Sequence, residues 1–196
     1  MADEVLVAEG LGARTRRGWV FRDVDLAVAA GDLVTVAGAA RSGRTSLLLA
    51  LAGHFRTTEG SVRRLAKPAL GFVAGVNEPE PGLTVAEHAE ERLVLLGRAS
   101  WSPRRRRRQA LELLAGVPLQ PDTLGRDLDR LGAHLLALAL ARIGEPGIIL
   151  ADDVDSGLSE VERATLREAL TGTGAAVVVT AREPFDGRAH RLERAA

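Results

Sequence analysis

The feature that most limits what this chain can fold into is the stretch LVTVAGAARSGRTSLLLALAG, residues 33 to 53. Leu33 to Ala37 is a short apolar, β-branched run behind the turn signal Gly31-Asp32, which predicts a buried strand. After a glycine-rich segment comes TSLLLALAG, an apolar helix that Gly53 can close. Strand, loop and helix in this order make a phosphate cradle, in which backbone N–H groups and the positive end of a helix receive an anion. Gly38 and Gly43 fill the two glycine positions of G-x-x-x-x-G-K-[S/T] and Thr45 the hydroxyl position, but Arg44 stands where lysine is usual. The competing reading is an ordinary strand-to-helix turn. With 21 glycines in the chain the spacing alone decides little, so the flanking strand and helix carry the assignment.

A chain of 196 residues holds one core, or one core with a modest insertion. Apolar residues are 46% and aromatics 3%, so that core is built from Leu, Val, Ile and Ala. Lys plus Arg and Asp plus Glu are 26 each, which gives no global charge to draw nucleic acid or a membrane surface. Cysteine is absent, so there is no disulfide framework or thiolate metal site. The opening MADEVLVAEG is acidic and lacks the apolar core of a leader, and no stretch approaches the length of a membrane span. The expectation is a soluble cytoplasmic chain.

Further along, ALGFVAG (residues 69 to 75) predicts another short strand. Three helices are expected between about residues 84 and 143. LTVAEHAEERLVLLG opens with Thr84 and Glu87 at capping-box spacing. SPRRRRRQALELLAG has Ser102 as cap and Pro103 in its first turn, and LGAHLLALALARIG is strongly apolar. GIILADD, the helix SEVERATLREALTGTG capped by Ser159 with Glu162, and the buried strand AAVVVTA then restore strand–helix alternation. The class is α/β: a mainly parallel sheet flanked by helices, with residues 77–143 as an inserted helical subdomain between core segments 1–76 and 144–196 of a single domain. Five consecutive arginines, Arg104 to Arg108, point all round a helix and read as its solvated start; contact with anionic lipid or a permease loop is the alternative.

IILADD ends a strand on Asp152 and Asp153. Alone this is a solvated acidic strand end, but following a phosphate loop it supplies the carboxylate that holds Mg²⁺ through water. With these residues in place the chain resembles the ATP-binding subunit of an ATP-binding cassette (ABC) transporter, a P-loop NTPase, over nearly its whole length. WVFRDVDLAVAAGDLVTVAGAARSGRTSLLLALAG is similar to the family's opening and Walker A loop, GLTVAEH to the segment that opens its helical subdomain, and LALALARIGEPGIILADDVDSGLSEVERATL to its signature helix, Walker B strand and D-loop.

That resemblance implies binding of ATP and Mg²⁺. The loop Gly38, Ala39, Ala40, Arg41, Ser42, Gly43, Arg44, Thr45 and Ser46 takes the phosphates, with Trp19 as the candidate adenine platform against a packed strand aromatic. Thr45 and Asp152 hold the metal, and Asp153 sits at the water-orienting glutamate position. The signature pentapeptide aligns with Leu128, Asp129, Arg130, Leu131 and Gly132, which in the family reach the partner's γ-phosphate across a head-to-tail dimer. It also implies a separate membrane permease, a homo- or heterodimer of ATP-binding domains, and a place on the inner face of the cell membrane, without nucleic acid.

The reactive positions depart from the family pattern. Arg44 replaces a compact ammonium by a planar fork, Asp153 is one methylene short, Gly75 and Ala181 stand at the Q-loop glutamine and switch histidine, and Asp129 brings a carboxylate to the signature. His54, His88, His134 and His190 fall at none of these places and read as surface or packing residues. The expectation is an ABC-type ATP-binding subunit with weakened nucleotide binding and reduced or absent hydrolysis. A non-hydrolysing regulatory or structural module on the same fold is the alternative, and a small P-loop kinase a third reading.

Overall fold

The computed structural model describes residues 3–185 and 188–193. β1 (Glu4–Thr15) and β2 (Gly18–Ala29) form a long antiparallel hairpin, and β4 (Glu59–Arg64) pairs with the other edge of β1. Alternation along β2 buries Val24, Leu26 and Val28 between exposed or half-buried neighbours, whereas β1 buries two continuous runs, Val5 to Ala8 and Leu11 to Ala13. A second sheet is wholly parallel, in the order β5-β6-β7-β3-β8. Its members are β3 (Leu33–Ala37), β5 (Pro68–Leu70), β6 (Ile148–Ala151), β7 (Ala176–Ala181) and β8 (Arg188–Arg191). Every residue of β6 and β7 is buried, as expected of strands covered on both faces.

Two strands differ from the sequence expectation. β5 stops at Leu70 instead of running to Gly75, because its partner β6 ends at Ala151; after the last rungs, Gly71 N–H to Leu150 O and Asp152 N–H to Phe72 O, the chain turns away. The Asn77 amide closes that turn on the Gly71 carbonyl at 2.7 Å. β8 lies beyond the expected last strand. As an edge strand of sequence RAHR with outward side chains, it carries no apolar signal.

α1 (Arg44–Ala52) packs on the parallel sheet and ends at Gly53, whose φ of 90° closes it in the left-handed region. Arg64 of β4 caps the same end, with Nε 2.7 Å from the Leu51 carbonyl and Nη2 2.6 Å from that of Ala50. A cation is favourable at this negative pole of the helix.

α2 (Val85–Leu95), α3 (Pro103–Leu113) and α4 (Arg130–Ile143) share a separate apolar cluster that includes Val85, Ala89, Leu93, Ala110, Leu136 and Ile143. The capping box on α2 forms as expected. Ser102 occupies the N-cap of α3, but its hydroxyl makes no cap bond; Pro103 alone marks that start. Between α3 and α4 the chain is an extended strap with one 3₁₀ turn at Gly125–Asp127. Its Pro121 and Thr123 carbonyls accept the Ala86 and Val85 amides, satisfying two donors that the first turn of α2 cannot.

The arginine run divides by register. Arg106 and Arg107 are half-buried against Glu90 of α2, with Arg107 also 2.7 Å from Asp122 of the strap, while Arg104, Arg105 and Arg108 face solvent. Two of the five thus fix α3 to its neighbours. α5 (Glu160–Thr171) starts with the expected Ser159–Glu162 box. Among the described residues no helix is long and apolar enough to cross a membrane.

Candidate functional site

The C-terminal ends of β3 and β6 and the starts of α1 and α4 converge on one place. The loop leaves β3 with the Gly38 amide bonded to the Ala181 carbonyl of β7 and the Leu192 amide bonded to the Ala37 carbonyl. Both framing glycines are required by close backbone. A Cβ on Gly38 would lie 2.6 Å from the Leu192 carbonyl oxygen, and one on Gly43, where φ is 91°, would lie 2.2 Å from the Val20 carbonyl oxygen. Gly43 is the N-cap of α1, no side chain caps it, and no acidic residue occupies the first turn. The first N–H groups of this helix are therefore open to an anion. The Ser42 hydroxyl, fully buried within the loop, has no hydrogen-bond partner among the described residues.

Thr45 and Asp152 meet across the site, with Thr45 Oγ1 donating to Asp152 Oδ2 at 2.8 Å. Thr180 of β7 donates to the other oxygen of Asp152 and accepts from the Asp153 amide at 2.8 Å. A hydroxyl and a carboxylate held together beside an open helix start are the hard oxygen donors that Mg²⁺ takes along with phosphate and water. These residues fit that ion.

Asp153 is differently placed from a free water-orienting carboxylate. Its φ is 51°, in the left-handed region, and each of its oxygens faces a guanidinium of the same chain. Arg44 Nη2 lies 3.6 Å from Oδ1, and Arg130 Nη2 lies 3.4 Å from Oδ2 and 3.4 Å from the Asp153 carbonyl oxygen. Arg130 also covers the Phe72 ring at 4.7 Å, and His134, one turn along α4, packs on that ring at 4.7 Å. His134 is 2% exposed and its Nε2 has no hydrogen-bond partner among the described residues. Burial, helped by the Arg130 charge, lowers its pKa to about 3, so it is neutral.

α4 begins on Asp129, whose Oδ1 accepts the Gly132 amide at 2.7 Å. The donor end of this helix is closed by its own carboxylate. Leu128 is half-buried ahead of it, and Leu131 packs partly buried against the cluster of β6, β7 and α5. Trp19 stacks under Arg14 at 5.4 Å and leaves little room for a Cβ on Gly12, one residue from the Val20 carbonyl that confines Gly43.

A family model described as ABC transporter matches residues 21–156. The chain belongs to the ABC transporter family. A zinc import ATP-binding protein, ZnuC of Roseobacter denitrificans, is 34% identical over 89% of this chain and 68% of its own length. The cytochrome c biogenesis ATP-binding export protein CcmA of Cupriavidus necator is 31% identical over 90% of this chain and 82% of its own. A bacterial ABC transporter cassette solved as a dimer superposes with a TM-score of 0.79, at 23% identity and covering 96% of this chain and 94% of that one, which shows the shared fold. Within the family the chain is of the ATP-binding kind, since the matched span holds both the loop after β3 and the carboxylates after β6.

Measured against an ABC cassette, the remaining positions are explicit. Gly75 lies in the turn after β5, with φ 71° and its amide on Glu78, and offers no side chain. Ala181 ends β7 fully buried. His88 accepts the Glu80 amide at Nε2, which leaves Nδ1–H to donate to the Thr84 carbonyl, so it pins the entry to α2. His54 borders the cleft between the sheet and α2, and burial lowers the pKa of His190 on β8 against an opposing pull from Asp25. Reading the sequence missed Thr180 and Phe72. Thr180 had a signal, a lone hydroxyl in the otherwise apolar run AVVVTA. Phe72 had none, since its role depends on Arg130 folding back.

Proposed function

We propose that this chain is the ATP-binding subunit of a two-component ABC transporter, one that binds ATP with Mg²⁺ weakly and hydrolyses it slowly or not at all. The observation that carries this reading is the start of α4, where Asp129 caps the helix with its own carboxylate at 2.7 Å from the Gly132 amide. A carboxylate at that helix start repels a phosphate, and Asp153, one methylene short of the usual glutamate, is paired with Arg44 and Arg130 in the nucleotide-free chain. In the proposal the open start of α1 receives the phosphates through the amides of residues 39 to 45, Thr45 and Asp152 hold Mg²⁺, and adenine rests by Trp19. The Mg²⁺ would neutralise phosphate charge.

The chain would work as a dimer with a separate permease on the inner face of the cell membrane, its α/β core (1–76 and 144–196) carrying nucleotide and its helical unit (77–143) facing the partner. In a head-to-tail dimer the start of α4 would meet the other chain's nucleotide, and Asp129 repels it there. Loss of a γ-phosphate donor and of a well-placed carboxylate each costs about 10²-fold, so turnover falls several powers of ten below an intact cassette. ATP titration with and without Mg²⁺, followed by steady-state phosphate release alone and with the permease, tests this. Turnover of about 1 to 10 per second would overturn it. Binding without turnover favours the non-hydrolysing module, which the Asp129 cap on α4 also favours.

A further inference from the structure

Arg130 stands at a position that the resemblance assigns to the partner's nucleotide, yet it is turned into the site of its own chain. It reaches Asp153 from the start of α4, while Arg44 reaches the same carboxylate from the start of α1. Two cations thus share one anion. Asp152 adds negative charge nearby but fills neither fork, because its oxygens accept from the hydroxyls of Thr45 and Thr180.

The arginines are also incompletely satisfied. Arg44 Nη1 and Arg130 Nε are fully buried and have no hydrogen-bond partner among the described residues, and the Arg44 side chain as a whole is only 11% exposed. Guanidinium donors removed from water without an acceptor are costly, and a single carboxylate cannot fill two forks. A tetrahedral anion with three free oxygens can. Such an anion is the last phosphate of a nucleotide whose other phosphates lie on the open amides of α1, because Arg44, Thr45 and Asp152 set where that chain of phosphates ends.

We propose that Arg44 and Arg130 form a clamp for one anion, filled by Asp153 in the nucleotide-free chain and by the terminal phosphate of a nucleoside triphosphate in the same chain's site. Asp153 is then an internal stand-in for that phosphate, and Arg130 a contact residue acting in cis. The Phe72 ring beneath the Arg130 guanidinium holds the fork at this depth. A nucleoside diphosphate ends one phosphate short of Arg130, so the clamp sets preference for triphosphate over diphosphate. This inference rests on the nucleotide-binding reading above and adds to it which residue counts the phosphates.

The test is equilibrium binding of a non-hydrolysable ATP analogue and of ADP, both with Mg²⁺, to the full chain and to the Arg130→Gln, Arg130→Lys and Asp153→Asn variants. Each is measured at a concentration where light scattering shows monomer and after a thermal melt shows the variant folded. Arg130→Gln is expected to weaken the triphosphate analogue about tenfold while leaving ADP within about twofold, the size of one lost charge-assisted contact. Arg130→Lys should keep part of the preference, and Asp153→Asn should tighten the triphosphate more than the diphosphate by removing the competitor. An unchanged ATP-to-ADP ratio in Arg130→Gln overturns the clamp while leaving nucleotide binding intact. So does a ratio that changes only at concentrations where the chain dimerises, since Arg130 would then act across the dimer. If neither the unaltered chain nor Asp153→Asn binds either nucleotide, the nucleotide reading falls and the clamp with it.

Discussion

α1 and α4 begin within reach of the same carboxylate, and they begin in opposite ways. α1 starts on a glycine with a left-handed backbone, no side-chain cap and no acidic first-turn residue, so its N–H groups are left for a ligand. α4 starts on Asp129, which closes the helix with its own carboxylate. In an ABC cassette both helix starts address phosphate, one in each half of a composite site. Here one has kept the form of a receiver and the other has become a self-contained structural cap. In the proposed reading, the two halves of such a site are not altered evenly. The half built from backbone geometry is held by packing, whereas the half that depends on a short side chain at one position can be closed by a single change.

The largest expected effect breaks the α1 side of this contrast. Gly43→Ala would place a methyl against the Val20 carbonyl in a backbone region that Ala avoids, and should cost about 3 kcal/mol or more in stability. Urea unfolding checks it, and a cost under about 1 kcal/mol would show that the loop yields easily.

The second effect is on the α4 side and is read by pH. The unfolded His134 imidazole takes up a proton below about 6.5, and the folded one only near 3. Between those values the unfolded chain binds more protons, so stability is full above about pH 6.5 and falls as pH drops, by up to about 1.4 kcal/mol per unit from this residue. His134→Leu should flatten that part of the stability profile measured from pH 7 to pH 5. An unchanged slope would assign it to other groups.

Arg44→Lys comes next. A compact ammonium fits the loop better than a fork and lets go of Asp153 more readily, so nucleotide should bind about tenfold more tightly, as read by titration. Equal or weaker binding would mean that the hold of Arg44 on Asp153 is not what limits affinity. The smallest effect is Asp129→Ala, which removes the cap and should cost about 1 kcal/mol, while Asp129→Ser should restore most of it. If Ala and Ser behave alike in thermal melts, the carboxylate is not holding the helix start.

How much of this could be read beforehand follows the range of the interactions. The strand–loop–helix around Gly38, the Thr84 and Ser159 boxes and the apolar strands β6 and β7 were legible because propensity, capping and burial are written in neighbouring residues. β8 was illegible because an exposed edge strand lacks apolar alternation. In the candidate site, the departures at Arg44 and Asp129 could be seen as residue types but not as contacts. That Arg130 folds onto Asp153 and Phe72 depends on the length of a flexible side chain and on where the backbone of Asp153 turns left-handed. No local pattern encodes either.

The glycine that opens the loop is roofed by Leu192, whose carbonyl leaves no room for a Cβ on Gly38 and whose amide ties the end of β3. Residues 38 and 192 are far apart in sequence, so this contact closes a very large loop and its entropy must be met before the contact contributes anything. β8 pairs with the edge of β3 that faces away from β7, so β3 holds partners on both sides. One wall of the phosphate loop is therefore supplied from the far end of the sequence, and a nascent chain lacks it until residue 192 has left the ribosome.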